Sequence, residues 1–246
     1  MERHALVTGG SRGIGRAVAS ALTAAGVEVT VLGRDAEALA DAVREGHARA
    51  ALAADLTDPA ALEAALRSLK RPVDLLIANA GAARSAAFLK TGDEDFAEMI
   101  ATNLMGTVRA IRAVLAGMIE RRFGRIIAVA STAGLKGYPY VSAYCASKHA
   151  VVGLVRALAA ETAACGVTVN AVCPGFTDTD LLARSVERIM AATGRSREQA
   201  LKELTRHNPQ GRLVEPREVA HAVLWLASEE AGAITGQAIP VAGGEV

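Results

Sequence analysis

Seven short apolar stretches recur along the chain, and each ends in glycine or in polar residues. Continuous apolar runs of this length, without alternation, are typical of parallel strands that are covered on both faces. The segments between them carry apolar residues at helical spacing. The pattern therefore predicts an α/β protein with a seven-stranded, doubly wound parallel sheet and helices on both faces. The predicted strands span residues 4–8, 27–33, 48–54, 73–78, 126–130, 167–172 and 237–241.

Two of the predicted helical segments have unusual features. The long helix over 96–120 contains Asn103, whose amide competes for backbone hydrogen bonds and is unfavourable inside a helix. Residues 180–208 have the pattern of two amphipathic helices joined at Gly194, and we expect them to form a small lid over the active-site mouth. The remaining long helices are expected over 59–69, 142–164 and 216–228.

Composition argues against several classes of function. The 246 residues are 51% hydrophobic with a formal charge of +1, which suits one domain over 1–246 and leaves no basic stripe for nucleic acid. No long apolar leader is present and no apolar run approaches about 18 residues, so we expect a soluble, cytoplasmic protein with no membrane partner. The cysteines lack the paired spacing of metal ligands, so we expect reduced thiols and no metal: Cys145, Cys165 and Cys173.

A glycine-rich turn follows the first predicted strand and precedes a helical pattern. Strand, glycine turn and helix together form a phosphate cradle, because glycine permits close backbone approach and the helix N-terminus favours an anion. We expect this turn to bind the pyrophosphate of a dinucleotide. Its residues are Gly9, Gly10, Ser11, Arg12, Gly13, Ile14 and Gly15.

The end of the second strand is expected to meet the adenosine ribose. Gly33 and Arg34 stand there, where an acidic residue would repel a 2′-phosphate. A guanidinium matches phosphate oxygens, so Arg34, with Arg12 from the glycine turn, favours NADP(H). The alternative is that both arginines are solvated and that Asp35 binds the ribose of NAD.

A candidate acid/base pair lies in the segment 131–148. Tyr144 and Lys148 are four residues apart in a helical pattern and therefore share one face. An ammonium beside a phenol favours the phenolate, so we expect Lys148 to lower the pKa of Tyr144. Ser131 follows a strand, at the sheet edge where ligands of such sheets bind. Tyr138 and Tyr140 are expected to shape the substrate pocket.

Ser131, the pair Tyr144 and Lys148 and the sequence TGGSRGIG together resemble the short-chain dehydrogenase/reductase family, over residues 6–244. The resemblance implies a Rossmann-type fold, NADP(H) as the preferred cofactor with NAD(H) possible, and a homotetramer built through the helix over 142–164 and the one before it. It also implies a catalytic set in which Asn103 orders a proton relay to the lysine: Asn103, Ser131, Tyr144 and Lys148.

The same resemblance assigns cofactor contacts along the chain. Asp55 and Leu56 would hold the adenine, and Asn79 would brace the sheet in the segment Asn79, Ala80 and Gly81, where the family's first asparagine is replaced by Ala78. The proline-glycine turn at Pro174 and Gly175 would lie beside the nicotinamide. Thr177 and Thr179 would hold its carboxamide and the phosphates. The complete set of implied cofactor residues is Gly9, Ser11, Arg12, Gly13, Ile14, Gly15, Arg34, Asp55, Leu56, Asn79, Ala80, Gly81, Tyr144, Lys148, Pro174, Gly175, Thr177 and Thr179.

The segments NAVCPGFTDTDL and ITGQAIPVAGG are most similar to 3-oxoacyl thioester reductases. They imply NADPH-dependent reduction of a 3-oxoacyl thioester, on acyl carrier protein or CoA, with Tyr144 as acid/base. The long lid favours an alternative, an NAD-dependent dehydrogenase of a small 3-hydroxy acid or 3-hydroxyacyl-CoA. A second alternative is a non-catalytic dinucleotide-binding scaffold, for which a broken catalytic set would be expected.

Overall fold

The computed structural model describes residues 3–246, in which strands and helices alternate as the sequence predicts. The strands are β1 His4–Thr8, β2 Glu28–Gly33, β3 Ala50–Ala53, β4 Leu75–Ala78, β5 Gly124–Val129, β6 Val167–Pro174 and β7 Ala238–Val241. The α-helices are α1 Gly13–Ala24, α2 Ala36–Arg44, α3 Pro59–Arg67, α4 Asp93–Met99, α5 Gly106–Glu120, α6 Ser142–Thr162, α7 Asp180–Thr193, α8 Arg197–Thr205 and α9 Pro216–Ala227. Strand ends differ from the predicted ones by at most two residues, and α2 was not predicted.

The described strands form one parallel sheet in the order β3-β2-β1-β4-β5-β6-β7. Strand β1 lies between β2 and β4, with Ala5 in register with both Val29 and Leu75. The direction of strand succession reverses between β1 and β4, and ligands of open α/β sheets bind at the carboxyl ends of the strands beside such a reversal. The predicted doubly wound, Rossmann-type sheet is confirmed.

Helices cover both faces of the sheet, which explains why its strands are apolar without alternation. One core cluster joins the sheet to α1 and α9 through residues such as Leu22 and Val223. The other joins it to α5 and α6 through residues such as Ile111 and Val155. All of these side chains are at most 2% exposed. The sheet that carries the candidate residues at its carboxyl edge is therefore packed between α1 and α9 on one face and α5 and α6 on the other.

A wide turn interrupts the long helix that was predicted over 96–120. Helix α4 continues into a π-helical segment, Ile100–Met105, before α5 begins, and buried Asn103 lies within this segment. The distortion at Asn103 agrees with the sequence expectation. By length and mean hydropathy (1.2) alone, Asp93–Glu120 has the dimensions of a membrane span, which a search for uninterrupted apolar runs did not anticipate. Met99 and Met118 are fully buried within the described structure, as in the core helix of a globular protein.

The two helices predicted over residues 180–208 are present as α7 and α8, and their role as a lid stays a prediction. Thr179 caps α7, and Gly194 ends it with a φ of +67°, a conformation that suits glycine. Leu182, Val186 and Ala200 form a small apolar cluster of their own, which is separate from the two large ones. Helices α7 and α8 thus pack against each other through a small apolar cluster, and the start of α7 lies at the groove along the carboxyl edge of the sheet.

Candidate active site

The glycine turn between β1 and α1 has the geometry that a phosphate cradle needs. Gly9 and Gly13 adopt φ values of +65° and +54°, and a β-carbon on Gly15 would lie only 2.1 Å from the Gly9 carbonyl oxygen. Arg12 occupies the N-cap position of α1, and its side chain does not cap the helix. Within residues 3–246 the first backbone N–H groups of α1 therefore receive no cap from the N-cap side chain, and an anion at this turn would satisfy them.

Asn79 braces the glycine turn against the sheet, as expected. Its side-chain Nδ2 donates to the carbonyl oxygens of Thr8 and Gly9, at 3.0 and 3.1 Å. The Thr8 hydroxyl in turn accepts from the backbone N–H groups of Asn79 and Ala80, at 3.0 and 3.1 Å. Four hydrogen bonds therefore fix the end of β4 relative to the turn after β1.

A groove of about 550 Å³ runs along this edge of the sheet. It contains most of the predicted cofactor residues, namely Gly9, Ser11, Arg12, Gly13, Ile14, Arg34, Asp55, Leu56, Asn79, Ala80, Gly81 and Thr179. Several further residues that were not predicted from the sequence line the groove: Ala54, Thr57, Thr102, Asp180, Leu181 and Arg184. The last three belong to α7, so this helix forms part of the groove wall. Their spacing of three and four residues at the start of a helix is a signal that was available in the sequence.

Among the described residues, six predicted cofactor residues do not line this groove: Gly15, Tyr144, Lys148, Pro174, Gly175 and Thr177. The Thr177 hydroxyl donates to the Gly175 carbonyl oxygen at 2.9 Å and is buried. Thr179 caps α7, and its methyl group lies 3.3 Å from the position that a β-carbon on Gly13 would take. Of the two threonines, Thr179 is therefore the one in position to contact a ligand in the groove.

The basic residues at the ribose end of the groove face carboxylates. Arg12 Nη2 lies 3.3 Å from Asp35 Oδ2, and Arg34 Nη1 lies 3.8 Å from Asp55 Oδ2. Asp35 also caps α2 by accepting from the Ala38 N–H at 3.1 Å. Hydrogen bonding from the Thr57 N–H, followed by burial in the opposite direction, the Thr57 hydroxyl and Arg34, leaves the pKa of Asp55 below its usual value. Both arginines and Asp35 thus line the groove, each arginine beside a carboxylate, and their contact with an adenosine ribose stays a prediction.

The four predicted catalytic residues converge beside this groove. Tyr144 and Lys148 lie one turn apart on α6, and Lys148 Nζ is 5.8 Å from the centre of the Tyr144 ring. Lys148 Nζ donates to the Val129 carbonyl oxygen at 2.9 Å. A β-carbon on Gly81 would lie 3.6 Å from Lys148 Nζ and 2.9 Å from Asn103 Oδ1. Gly81 therefore lies between the groove on one side and the side chains of Lys148 and Asn103 on the other.

The pKa of Tyr144 departs from the sequence prediction. Burial raises it, hydrogen bonding with the Ser131 side chain lowers it, and the nearby Cys145 and Cys173 thiols raise it further, so the pKa lies above its usual value. The prediction of a lowered pKa was therefore wrong, because burial outweighs the groups that stabilise the phenolate. Burial also disfavours the Lys148 ammonium and lowers its pKa to about 8. The four-residue spacing placed the pair correctly but carried no information about desolvation, which dominates here.

Asn103 ties the loop after β4 to the catalytic helix. Its Nδ2 donates to the Ala82 carbonyl oxygen at 3.0 Å and to Ser147 Oγ at 2.9 Å, and its Oδ1 accepts from the Ala82 N–H at 2.9 Å. Ser147 Oγ donates to the Tyr144 carbonyl oxygen at 2.8 Å. These contacts give Asn103 a positioning role, and its part in a proton relay stays a prediction.

A nucleotide-sized groove at the reversal of strand order, with a serine, a tyrosine and a lysine at its inner end, defines a dinucleotide-dependent oxidoreductase. The short chain dehydrogenase family model matches residues 3–189, and the chain belongs to this family. The family resemblance and the expectation of an enzyme are both confirmed. A scaffold without catalysis, which was the second alternative, is not supported.

Several relatives of the chain are named as reductases of ketoacyl groups. The chain is 40% identical to an acetoacetyl-CoA reductase of Rhizobium meliloti, covering 100% of this chain and 99% of that protein. It is also 40% identical to the 3-oxoacyl-[acyl-carrier-protein] reductase FabG of Vibrio harveyi, covering 98% of this chain and 96% of that one. A crystal structure of a variant actinorhodin polyketide ketoreductase with NADPH superposes with a TM-score of 0.95 at 38% identity, covering 99% of this chain and 97% of that one.

Proposed function

We propose that this enzyme uses NADPH to reduce the 3-oxo group of an acyl thioester carried by CoA or by acyl carrier protein. The observation that carries the proposal is the meeting of the Ser131 and Tyr144 side chains beside Lys148, behind Gly81 at the inner end of the dinucleotide groove. The names of the CoA-dependent and carrier-dependent relatives support the thioester substrate.

In this proposal the Ser131 and Tyr144 hydroxyls bind the substrate carbonyl oxygen, where negative charge develops during reduction. A bound nicotinamide supplies the hydride. Tyr144 then gives its proton to the alkoxide oxygen, and its raised pKa keeps the phenol protonated at neutral pH, as reduction requires. Lys148, with a pKa of about 8, is mostly protonated at pH 7 and stabilises the phenolate that remains.

NADPH is the proposed cofactor because Arg12 and Arg34 both line the ribose end of the groove. A second candidate function uses NAD to oxidise a small 3-hydroxy acid or 3-hydroxyacyl-CoA. It is favoured by the position of Asp35, whose carboxylate lines the groove, and by the carboxylates that already face both arginines. An acid at the end of this strand binds a ribose 2′-hydroxyl in dinucleotide sites.

Steady-state kinetics with both cofactors separates the two candidates. We expect the purified enzyme to reduce acetoacetyl-CoA and a 3-oxoacyl carrier protein faster with NADPH than with NADH, at equal concentrations. Acetoacetate serves as the free-acid comparison. Faster turnover of 3-hydroxybutyrate with NAD than of any thioester with NADPH would favour the second candidate and contradict the first.

We also propose that the enzyme assembles as a homotetramer through α5 and α6. The support is that α6 exposes small residues, including Ala146 and Gly153, which permit close approach of a second helix. Light scattering of the purified protein tests this, and a mass equal to one chain at micromolar concentration would contradict it.

A further inference from the structure

A buried carboxylate outside the catalytic set lies close to the active site. The Glu245 side chain, which follows β7, is 1% exposed. Its Oε1 accepts from the Tyr138 hydroxyl and lies 3.2 Å from Lys136 Nζ. Its Oε2 is buried and has no hydrogen-bond partner among residues 3–246. An unpaired buried carboxylate oxygen is costly, so its presence calls for a functional explanation.

The partners of Glu245 belong to the loop that carries Ser131. Lys136 and Tyr138 both lie between Ser131 and Tyr144, and the Tyr138 hydroxyl is 2.7 Å from Thr132 Oγ1. Lys136 Nζ also donates to the Glu245 carbonyl oxygen at 3.2 Å and lies 5.1 Å from the centre of the Tyr138 ring. The ion pair is therefore attached to the loop that begins with Ser131.

Two further segments of the substrate side meet at the same place. The Tyr138 ring stands edge-on to Phe176 at 5.9 Å and to His207 at 5.8 Å between centroids. Phe176 follows the proline-glycine turn, and His207 lies just after α8, at the end of the segment 180–208. A β-carbon on Gly175 would lie 3.1 Å from Glu245 Oε2. The unpaired oxygen thus lies at the junction of the Ser131 loop, the proline-glycine turn and the end of the lid.

We propose that Glu245 is a specificity-determining residue that makes the enzyme discriminate against anionic acyl substrates, that is, free 3-oxo acids, in favour of neutral esters and thioesters. Lys136 alone would attract a carboxylate to this side of the site. Glu245 neutralises that ammonium, so the pair presents no net positive charge to a substrate carboxylate, and no donor among residues 3–246 occupies Oε2. Unpaired charge placed against the wrong ligand is a general means of specificity.

The inference rests on the proposed reduction of 3-oxo groups, and its test compares two substrates that differ in charge, methyl acetoacetate and acetoacetate. The wild type is expected to have the higher kcat/KM for the ester. In Glu245→Gln the freed Lys136 is expected to raise kcat/KM for acetoacetate relative to the ester by about tenfold, the order expected for one unit charge in a partly desolvated site. Adding Lys136→Met should remove that gain. Glu120→Gln, at an exposed position of α5, is the matched control and should leave the ratio unchanged.

An unchanged ratio in Glu245→Gln, with wild-type NADPH affinity and thermal unfolding, would overturn the inference and leave the proposed function intact. If Glu245→Gln does not fold, Lys136→Met tests the inference by itself. This variant leaves Glu245 without its cation, so kcat/KM for acetoacetate relative to the ester should fall about tenfold. A wild type that binds NADPH but reduces neither the thioester nor the ester would overturn the proposed function. Calorimetry of acetoacetate with the NADPH complex then decides the inference: about tenfold tighter binding to Glu245→Gln supports it, and equal binding rejects it.

Discussion

The ammonium of Lys148 lies 5.8 Å from the centre of the Tyr144 ring while it donates a 2.9 Å hydrogen bond to the Val129 carbonyl oxygen at the end of β5. This bond pins α6 to the carboxyl edge of the sheet, where Ser131 follows. The lysine thus has a structural partner as well as a position beside the phenol. Both side chains are desolvated together, which raises the pKa of Tyr144 and lowers that of Lys148.

Replacing the phenol of Tyr144 is predicted to remove turnover. Tyr144→Phe keeps the ring and its packing but has no proton to donate, so kcat for acetoacetyl-CoA should fall by about 10²–10⁴-fold. The affinity for NADPH, measured by fluorescence titration, should change little. The control is Glu120→Gln, at an exposed position of α5, which should keep the turnover of the wild type. Retained activity in Tyr144→Phe would assign proton donation to another group.

The lowered pKa of Lys148 predicts a pH dependence of stability. Between pH 8 and 9.5 the unfolded lysine keeps its proton, with an ordinary pKa of 10.5, while the folded one, with a pKa of about 8, loses it. The unfolded state then binds more protons, so this group makes the free energy of unfolding rise with pH, by up to about 1.4 kcal/mol per unit.

Denaturant titrations of wild type and Lys148→Met over this window isolate the effect. Cys173, whose pKa burial raises to about 11, is common to both proteins and acts in the opposite direction. The difference in unfolding free energy, wild type minus variant, should increase with pH. A difference that stays constant would show that Lys148 is not desolvated.

The structure predicts opposite effects for two glycine-to-alanine changes. In Gly15→Ala the new β-carbon would lie 2.1 Å from the Gly9 carbonyl oxygen, so the glycine turn must deform. We expect a lower melting temperature and at least tenfold weaker NADPH binding, since the backbone N–H groups lose their alignment, the order of about one charge-assisted hydrogen bond. In Gly153→Ala the β-carbon meets nothing within 4 Å of its own chain, and α6 should gain about 0.5–1 kcal/mol where no second chain packs against it. Equal melting temperatures for the two variants would contradict this account.

Cofactor preference provides a fourth prediction. Removing the guanidinium in Arg34→Ala should raise KM for NADPH by about tenfold and leave KM for NADH nearly unchanged, because one charge-assisted contact to a phosphate is lost. Asp35→Ser should favour NADPH further while keeping an oxygen that can cap α2. The exposed Arg195→Ala in the lid loop is the control. A preference for NADH that survives in Arg34→Ala would support the NAD-dependent alternative.

Much of the fold was predictable because its signals are local. Strands covered on both faces are mostly apolar, and the glycine turn and the pair Tyr144 and Lys148 depend on spacing alone. Long-range packing was not predictable. Arg125 lies in a basic segment, yet it is 6% exposed and its guanidinium lies 4.7 Å from the centre of the Phe123 ring. The contacts of Glu245 were not predictable from the sequence either, because its partners Lys136 and Tyr138 are more than a hundred residues away.

The widened turn at Ile100–Met105 also bears on the rotational phase of α5. In a π turn the backbone hydrogen bonds join residues five apart, so the turn holds about one residue more than an α turn. Deleting one residue from Ile100–Met105 would let the segment become α-helical and leave Ile111 and Met118, both at most 2% exposed, facing the core. Each residue advances an α-helix by about 100°, so a deletion within α5 itself would rotate the later side chains by that angle and should be far less tolerated.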